Sequence, residues 1–160
     1  MLTRIPVLLS FLVMVSLAAC STGAIGVGYS VPTGSSDAPD AWRLEARLAS
    51  GGIVKVGAAA RSRLGDGLDQ LAIAPELSVE MSPGPVTVGA RVGVNLLQLD
   101  RDRGEWTVAA GSPYLQPLVQ FRLGDPIWLF VGATLELDLR PHDEPNQLYV
   151  GAQVGVGFDL

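Results

Sequence analysis

The chain of 160 residues contains one cysteine, Cys20, and one histidine, His142. A lone cysteine excludes a disulfide scaffold, and a lone histidine leaves no second imidazole to support catalysis. Charge is scarce, at 17% of residues, and basic charge is scarcer, with 11 Lys+Arg against 16 Asp+Glu. The resulting net charge of −5 argues against a nucleic-acid partner. Aromatics amount to only 6%. In place of these the chain has 48% apolar residues, 19 glycines and a mean hydropathy of +0.34. Disorder requires low hydrophobicity and is excluded, and the length suits one domain. A water-soluble domain of this size is seldom so apolar and so lightly charged.

Part of the apolar excess lies at the N-terminus. Arg4 precedes an apolar run from Ile5 to Ala19, broken only by Ser10 and Ser16. The run is shorter than the roughly 20 residues needed to span a bilayer, so it reads as a cleaved signal peptide over residues 1–19. It ends in Leu17-Ala18-Ala19-Cys20, which resembles the bacterial lipobox. That resemblance implies lipidation of Cys20 with palmitate-type chains, cleavage before it, and a mature domain over residues 20–160. Ser21 follows the cysteine, and a residue other than Asp there implies release by the lipoprotein-sorting machinery to the outer membrane.

Beyond residue 23 the recurring period is two. Val86, Val88, Ala90, Val92, Val94 and Leu96 alternate with Thr87, Gly89, Arg91, Gly93 and Asn95. The C-terminus alternates likewise from Leu148 to Leu160, and Val-Gly-Ala recurs at 56–58, 88–90, 131–133 and 150–152. Such alternation predicts strands at 23–31, 41–50, 52–62, 70–81, 85–99, 113–123, 126–139 and 146–160. Short turns alternate with longer polar loops at 32–40, 63–69, 100–112 and 140–145, the order of an up-and-down barrel with both termini at the short-turn end. Pro75 and Pro117 fall on the apolar phase inside strands, where bulges are expected.

The polar phase decides which face looks outward. It mixes glycines with Arg43, Glu45, Arg47, Lys55, Arg61, Glu76, Glu80, Arg91, Arg122, Glu136, Asp138 and Asp159, six basic and six acidic residues. A water-facing surface would be more crowded with Lys, Glu and Thr. The interior of an eight-stranded barrel is just wide enough for side chains to fill, and an unpaired charge there costs several kcal/mol. A balanced count therefore suits a closed lumen, with small glycines leaving room for long arginines. The apolar phase runs through seven alternate positions from Ile127 to Leu139, comparable with the roughly 9–11 residues of a spanning strand. Tyr29 and Trp42 fall toward the long loops, and Phe121 and Phe158 toward the short turns, as in an interfacial girdle.

As a pattern over residues 23–160, the chain resembles the small eight-stranded outer-membrane barrels of the outer-membrane protein A and porin-superfamily type. The resemblance implies recognition of the last strand by the barrel-assembly machinery. Phe158 and the apolar phase before it fit that signal, but Leu160 stands where the family has a terminal aromatic.

Chemistry has few candidates. His142 lies beside Asp143 and Glu144 with Ser112 as a conceivable nucleophile, although a solvated loop histidine is the plainer reading. Asp37, Asp40, Asp66, Asp69, Asp100, Asp102, Glu105, Asp143 and Glu144 are hard-cation donors, but nothing completes a calcium loop around Asp100 and Asp102. Trp106 suits packing against a neighbouring loop or contact with lipopolysaccharide sugars. The sequence thus predicts an all-β, eight-stranded antiparallel transmembrane barrel. It is expected to be a monomeric outer-membrane lipoprotein with both termini periplasmic, a plugged lumen, acidic external loops and a structural or interaction role. No enzyme activity, cofactor, metal or nucleic acid is called for, and membrane lipid is the expected partner. Two alternatives stand beside this: a lipid-tethered, lipocalin-like periplasmic binder with its apolar face inward, and an outer-membrane lipid-modifying enzyme.

Overall fold

The computed structural model describes residues 22–33, 40–65, 70–100, 105–139 and 146–160, with the side chains of 97–100 and 105–110 left aside. Cys20, Ser21 and the signal segment lie outside these residues, as do His142, Asp143, Glu144, Asp37, Asp66, Asp69 and Asp102. So do the side chains of Asp100, Glu105 and Trp106. Eight strands form: β1 Thr22–Pro32, β2 Ala41–Gly51, β3 Val54–Leu64, β4 Gln70–Met81, β5 Val86–Asp100, β6 Glu105–Gly124, β7 Ile127–Asp138 and β8 Gln147–Asp159. Each pairs antiparallel with its sequence neighbour, and β8 closes on β1 from Thr22↔Asp159 to Pro32↔Tyr149. The all-β, closed eight-stranded antiparallel barrel read from the sequence is the fold observed.

Period two carries straight into burial. Along β1 the inward Ala24, Gly26, Gly28 and Ser30 are buried, and the outward Ile25, Val27, Tyr29 and Val31 are exposed. The other strands continue the scheme, with Val131 52% exposed on β7 and Val154 50% on β8. The phase with the charges faces in. This is the reverse of the lipocalin-like alternative, whose apolar side would line the cavity. Gly51, at φ +133°, closes the β2–β3 turn in a backbone conformation that a side chain would strain.

The structure departs from the expected boundaries in two places. β3 runs to Leu64, so Arg63, assigned to a loop by its position among polar residues, is a strand residue facing inward. β6 begins at Glu105 rather than 113, because most of the segment expected as a long loop continues the β5 ladder up to Asp100↔Glu105. That extension requires an irregularity, since three residues of β6 oppose one of β5 between Asn95↔Ser112 and Leu97↔Val108, with Gly111 at φ +82°.

The two prolines differ. Pro75 keeps regular register with Ala58 of β3, while on the β5 side the register shifts between Ile73 and Glu76, so a bulge accompanies the missing N–H. Pro117 interrupts the β6–β7 pairing between Leu115↔Leu135 and Leu118↔Gly132 without changing the register, so the bulge expected there is absent.

Candidate functional site

The barrel's polar inner phase gathers the charges into two linked clusters. Toward the long loops, Glu136 of β7 receives three arginines: Arg43 of β2 in close contact, Arg61 of β3 at 3.0 Å and Arg63 of β3 at 2.6 Å. Asn95 Nδ2 also donates to its Oε1 at 3.3 Å. Arg61 reaches Glu45 at 3.2 Å, and Arg63 reaches Asp138 at 3.2 Å. Nearer the short turns, Arg47 Nε donates to Glu76 at 2.6 Å, and Lys55 meets Glu80 at 2.8 Å. Arg91, fully buried, has its nearest carboxylate, Glu45, at 3.6 Å.

These contacts follow from closure. Arg43 and Glu136 lie 93 residues apart in sequence, and only a shared lumen brings them together. Arg43, Arg47, Arg61 and Arg63 each donate to more than one acceptor through the planar guanidinium fork, whereas the one hydrogen bond of Arg91 among the described residues goes to Gln116, at 3.4 Å.

Aromatic side chains complete the fill. The Arg61 guanidinium lies 3.7 Å from the Tyr114 ring centroid, Arg63 4.3 Å from Tyr149 and Arg91 5.0 Å from Phe130. Tyr114 also donates its hydroxyl to Glu76 at 2.6 Å. The glycines of this face serve these rings more than the arginines for which the sequence reserved them. A Cβ at Gly93 would collide with the Tyr114 ring, one at Gly155 with Phe130 and one at Gly157 with Trp128. Sequence reasoning missed this complementarity, although glycines alternating along β5 and β8 are its visible trace.

Ten of the twelve residues singled out from the sequence line the closed lumen: Arg43, Glu45, Arg47, Lys55, Arg61, Glu76, Glu80, Arg91, Glu136 and Asp138. Arg122 and Asp159 do not. They stand at the short-turn mouth with side chains 53% and 35% exposed, paired to each other at 2.8 Å, and Arg122 also contacts Asp125. The strand phase was right for both, but the last inward position of a strand lies at the rim and meets solvent. With Arg63 added, the described part of the closed lumen holds six cations and five carboxylates. Arg122, Asp125 and Asp159 at the mouth sum to −1 and restore neutrality. Being exposed, the mouth pair contributes little: Arg122→Ala is expected to change unfolding stability by less than about 1 kcal/mol, measured by urea titration in detergent.

The cluster around Glu136 is tightly closed. The void among Arg43, Glu45, Arg61, Arg63, Asn95 and Glu136 measures about 20 Å³, room for one water. At the long-loop rim, Tyr29 and Trp42 stand edge to face at 5.2 Å, and Tyr29 donates to Asp40 at 2.7 Å. Among the described residues no group of three His, Cys, Asp or Glu is arranged to hold a metal ion.

No protein-family model matches the chain, and no curated protein matches it in sequence. Solved structures do. Neisserial surface protein A is similar at a TM-score of 0.63 and 13% identity, over 87% of this chain and 96% of that one. A de novo designed transmembrane β-barrel is similar at a TM-score of 0.55 and 10% identity, over 88% of this chain and 97% of that one. At such identities the likeness is one of fold, that of an outer-membrane-type eight-stranded barrel.

Proposed function

We propose that this protein crosses the bacterial outer membrane as a closed barrel, is anchored by lipid on Cys20, and serves a structural or interaction role through its acidic long loops. The observation that supports this most directly is the inverted burial. Arg91 is 0% exposed while Val92, beside it in the same strand, is 47% exposed, and this opposition recurs around the wall. In water such a wall would leave a continuous apolar belt uncovered. In a bilayer the same belt is the solvated surface, and the closed ladder leaves no unpaired sheet edge in the hydrocarbon.

Lumen packing favours a scaffold over a channel. Ion pairs and rings fill the cross-section, and a one-water void offers no continuous water column. The proposal makes the protein a monomer without cofactor and not an enzyme, with both termini on the periplasmic side and the barrel-assembly and lipoprotein-sorting machinery as its handling partners. The short-turn position of β1's start and β8's end supports that orientation, since Cys20 precedes β1 by two residues in sequence.

The test uses the single cysteine. In a Cys20→Ala background, spin labels at Val92 and Arg91 should report lipid contact at the first and none at the second. The protein should also resist carbonate extraction and migrate differently on gels with and without boiling. Release of a folded, soluble Cys20→Ala protein into the periplasm would refute a spanning barrel. Labelled fatty acid remaining on the Cys20→Ala protein would refute the anchor.

A further inference from the structure

The outer wall is not evenly filled. Ala46 of β2 pairs with Ile25 of β1 and Ala60 of β3, and Leu48 pairs with Gly23 and Ala58. Three alanines thereby meet on the outward phase, which elsewhere is carried by Val, Leu and Ile. Their side chains end at Cβ, so the wall recedes into a groove of about 460 Å³, floored by Ala46, Ala58 and Ala60 and walled by Ile25, Leu48 and Phe158. All six side chains are apolar, so none of them orients a polar ligand. At roughly 30 Å³ for each water-sized group, the groove holds on the order of fifteen chain carbons, the length of one acyl chain.

Its position in the fold favours one occupant. Outward Gly23, the second residue of β1, is covered by Leu48 and Phe158 at the groove's short-turn end, and an added Cβ there would stand 2.7 Å from the Phe158 ring and 3.5 Å from Leu48. Cys20 precedes β1 by two residues, and two residues of chain reach no farther than about 7 Å. A chain carried by Cys20 therefore begins close to that end of the groove. Lipid tails are as apolar as the wall, so hydrophobicity alone does not single one out. A free lipid gives up lateral freedom to lie in the groove, whereas a tethered chain has already lost it.

We propose that one acyl chain of lipidated Cys20 lies in this groove against Ala46, Ala58 and Ala60, packing the anchor on its own barrel instead of dispersing it in the bilayer. The inference rests on the lipid-anchored reading of Cys20 given above. A larger outer concavity of about 660 Å³, lined by Leu77, Val92, Leu115 and Leu135 among others, is carried mainly by β4 to β7. The neighbours of β1 are β2 and β8, so that second concavity lies away from the anchor and serves as the control.

The test replaces leucine by photo-leucine during expression in a bacterial outer membrane. This puts the same photoreactive side chain at Leu48 in the groove and at Leu115 in the larger concavity without reshaping either. After illumination and digestion, mass spectrometry maps which leucine has joined the N-terminal peptide through its acyl chain. The expected result is an adduct at Leu48 and none at Leu115. Ala58→Phe, which fills the groove and whose fold is verified by unboiled gel migration, should abolish the Leu48 adduct. On an acylated protein, no adduct at Leu48, equal adducts at both leucines, Leu48 adducts with free phospholipid or a second copy in place of the N-terminal peptide, or an adduct undiminished by Ala58→Phe would overturn the proposal. An N-terminal peptide without acyl mass would instead refute the anchor itself, and the groove's occupant with it. If Ala58→Phe does not fold, the comparison of Leu48 with Leu115 on the unaltered protein decides.

Discussion

Glu136→Ala should destabilise the barrel by on the order of 3–5 kcal/mol, the usual cost of removing one partner from a buried ion cluster. The size follows from its position. Arg43, Arg61 and Arg63 all converge on this one carboxylate from two neighbouring strands across the lumen. Without it, Arg61 retains Glu45 and Arg63 retains Asp138, but Arg43 loses the only carboxylate within ion-pair distance among the described residues. A guanidinium cannot escape by losing its proton, and little solvent reaches it, the side chain being 9% exposed. Urea unfolding in detergent, followed by intrinsic fluorescence, gives the loss directly, and the unboiled gel should show a smaller folded fraction. Glu136→Gln, which keeps the shape and one acceptor, should fall between. If Glu136→Ala unfolded within about 1 kcal/mol of the unaltered protein, the convergence on Glu136 would carry no structural weight.

The second large effect tests the outer wall. Val131 sits near the middle of β7, pairs with Val119 and Val154, and points outward at 52% exposure. If the wall meets hydrocarbon, Val131→Arg should cost about 2–4 kcal/mol, whereas Phe121→Arg, near the short-turn rim, should cost about 0–1 kcal/mol. The difference between the two, measured as refolding stability in lipid vesicles, reads depth in the membrane rather than packing alone. A soluble barrel with an exposed apolar belt would show the opposite: charge at Val131 would be neutral or would improve solubility.

The two variants probe opposite phases of the same strand. Glu136 and Val131 are five residues apart on β7, so they occupy opposite faces, and a one-residue slip of register would exchange them. Register is therefore fixed from both sides, because the inward charged residues must find partners and the outward positions are largely apolar.

Much of this was legible from residues alone, and what was not has identifiable causes. Arg63 follows Arg61 on the same phase, but it adjoins Gly65 and two aspartates, and local polarity disguised it as loop. The β5–β6 ladder reaches Glu105 through a segment of small and polar residues where alternation is weak, so backbone pairing rather than side-chain pattern extends it. Arg122 and Asp159 were placed inward by phase, but phase carries no information on depth, and both stand at the mouth.

The number of strands, their antiparallel order and the parity of each residue were determined by the sequence itself, because a strand's faces alternate every residue and Gly and Pro mark its ends, both local properties. Only the tertiary structure decided which arginine meets which carboxylate, and that Gly93, Gly155 and Gly157 yield space to Tyr114, Phe130 and Trp128. Those outcomes depend on the closure of β8 onto β1 and on the register carried round eight strands, which together set distances between residues that no local pattern connects.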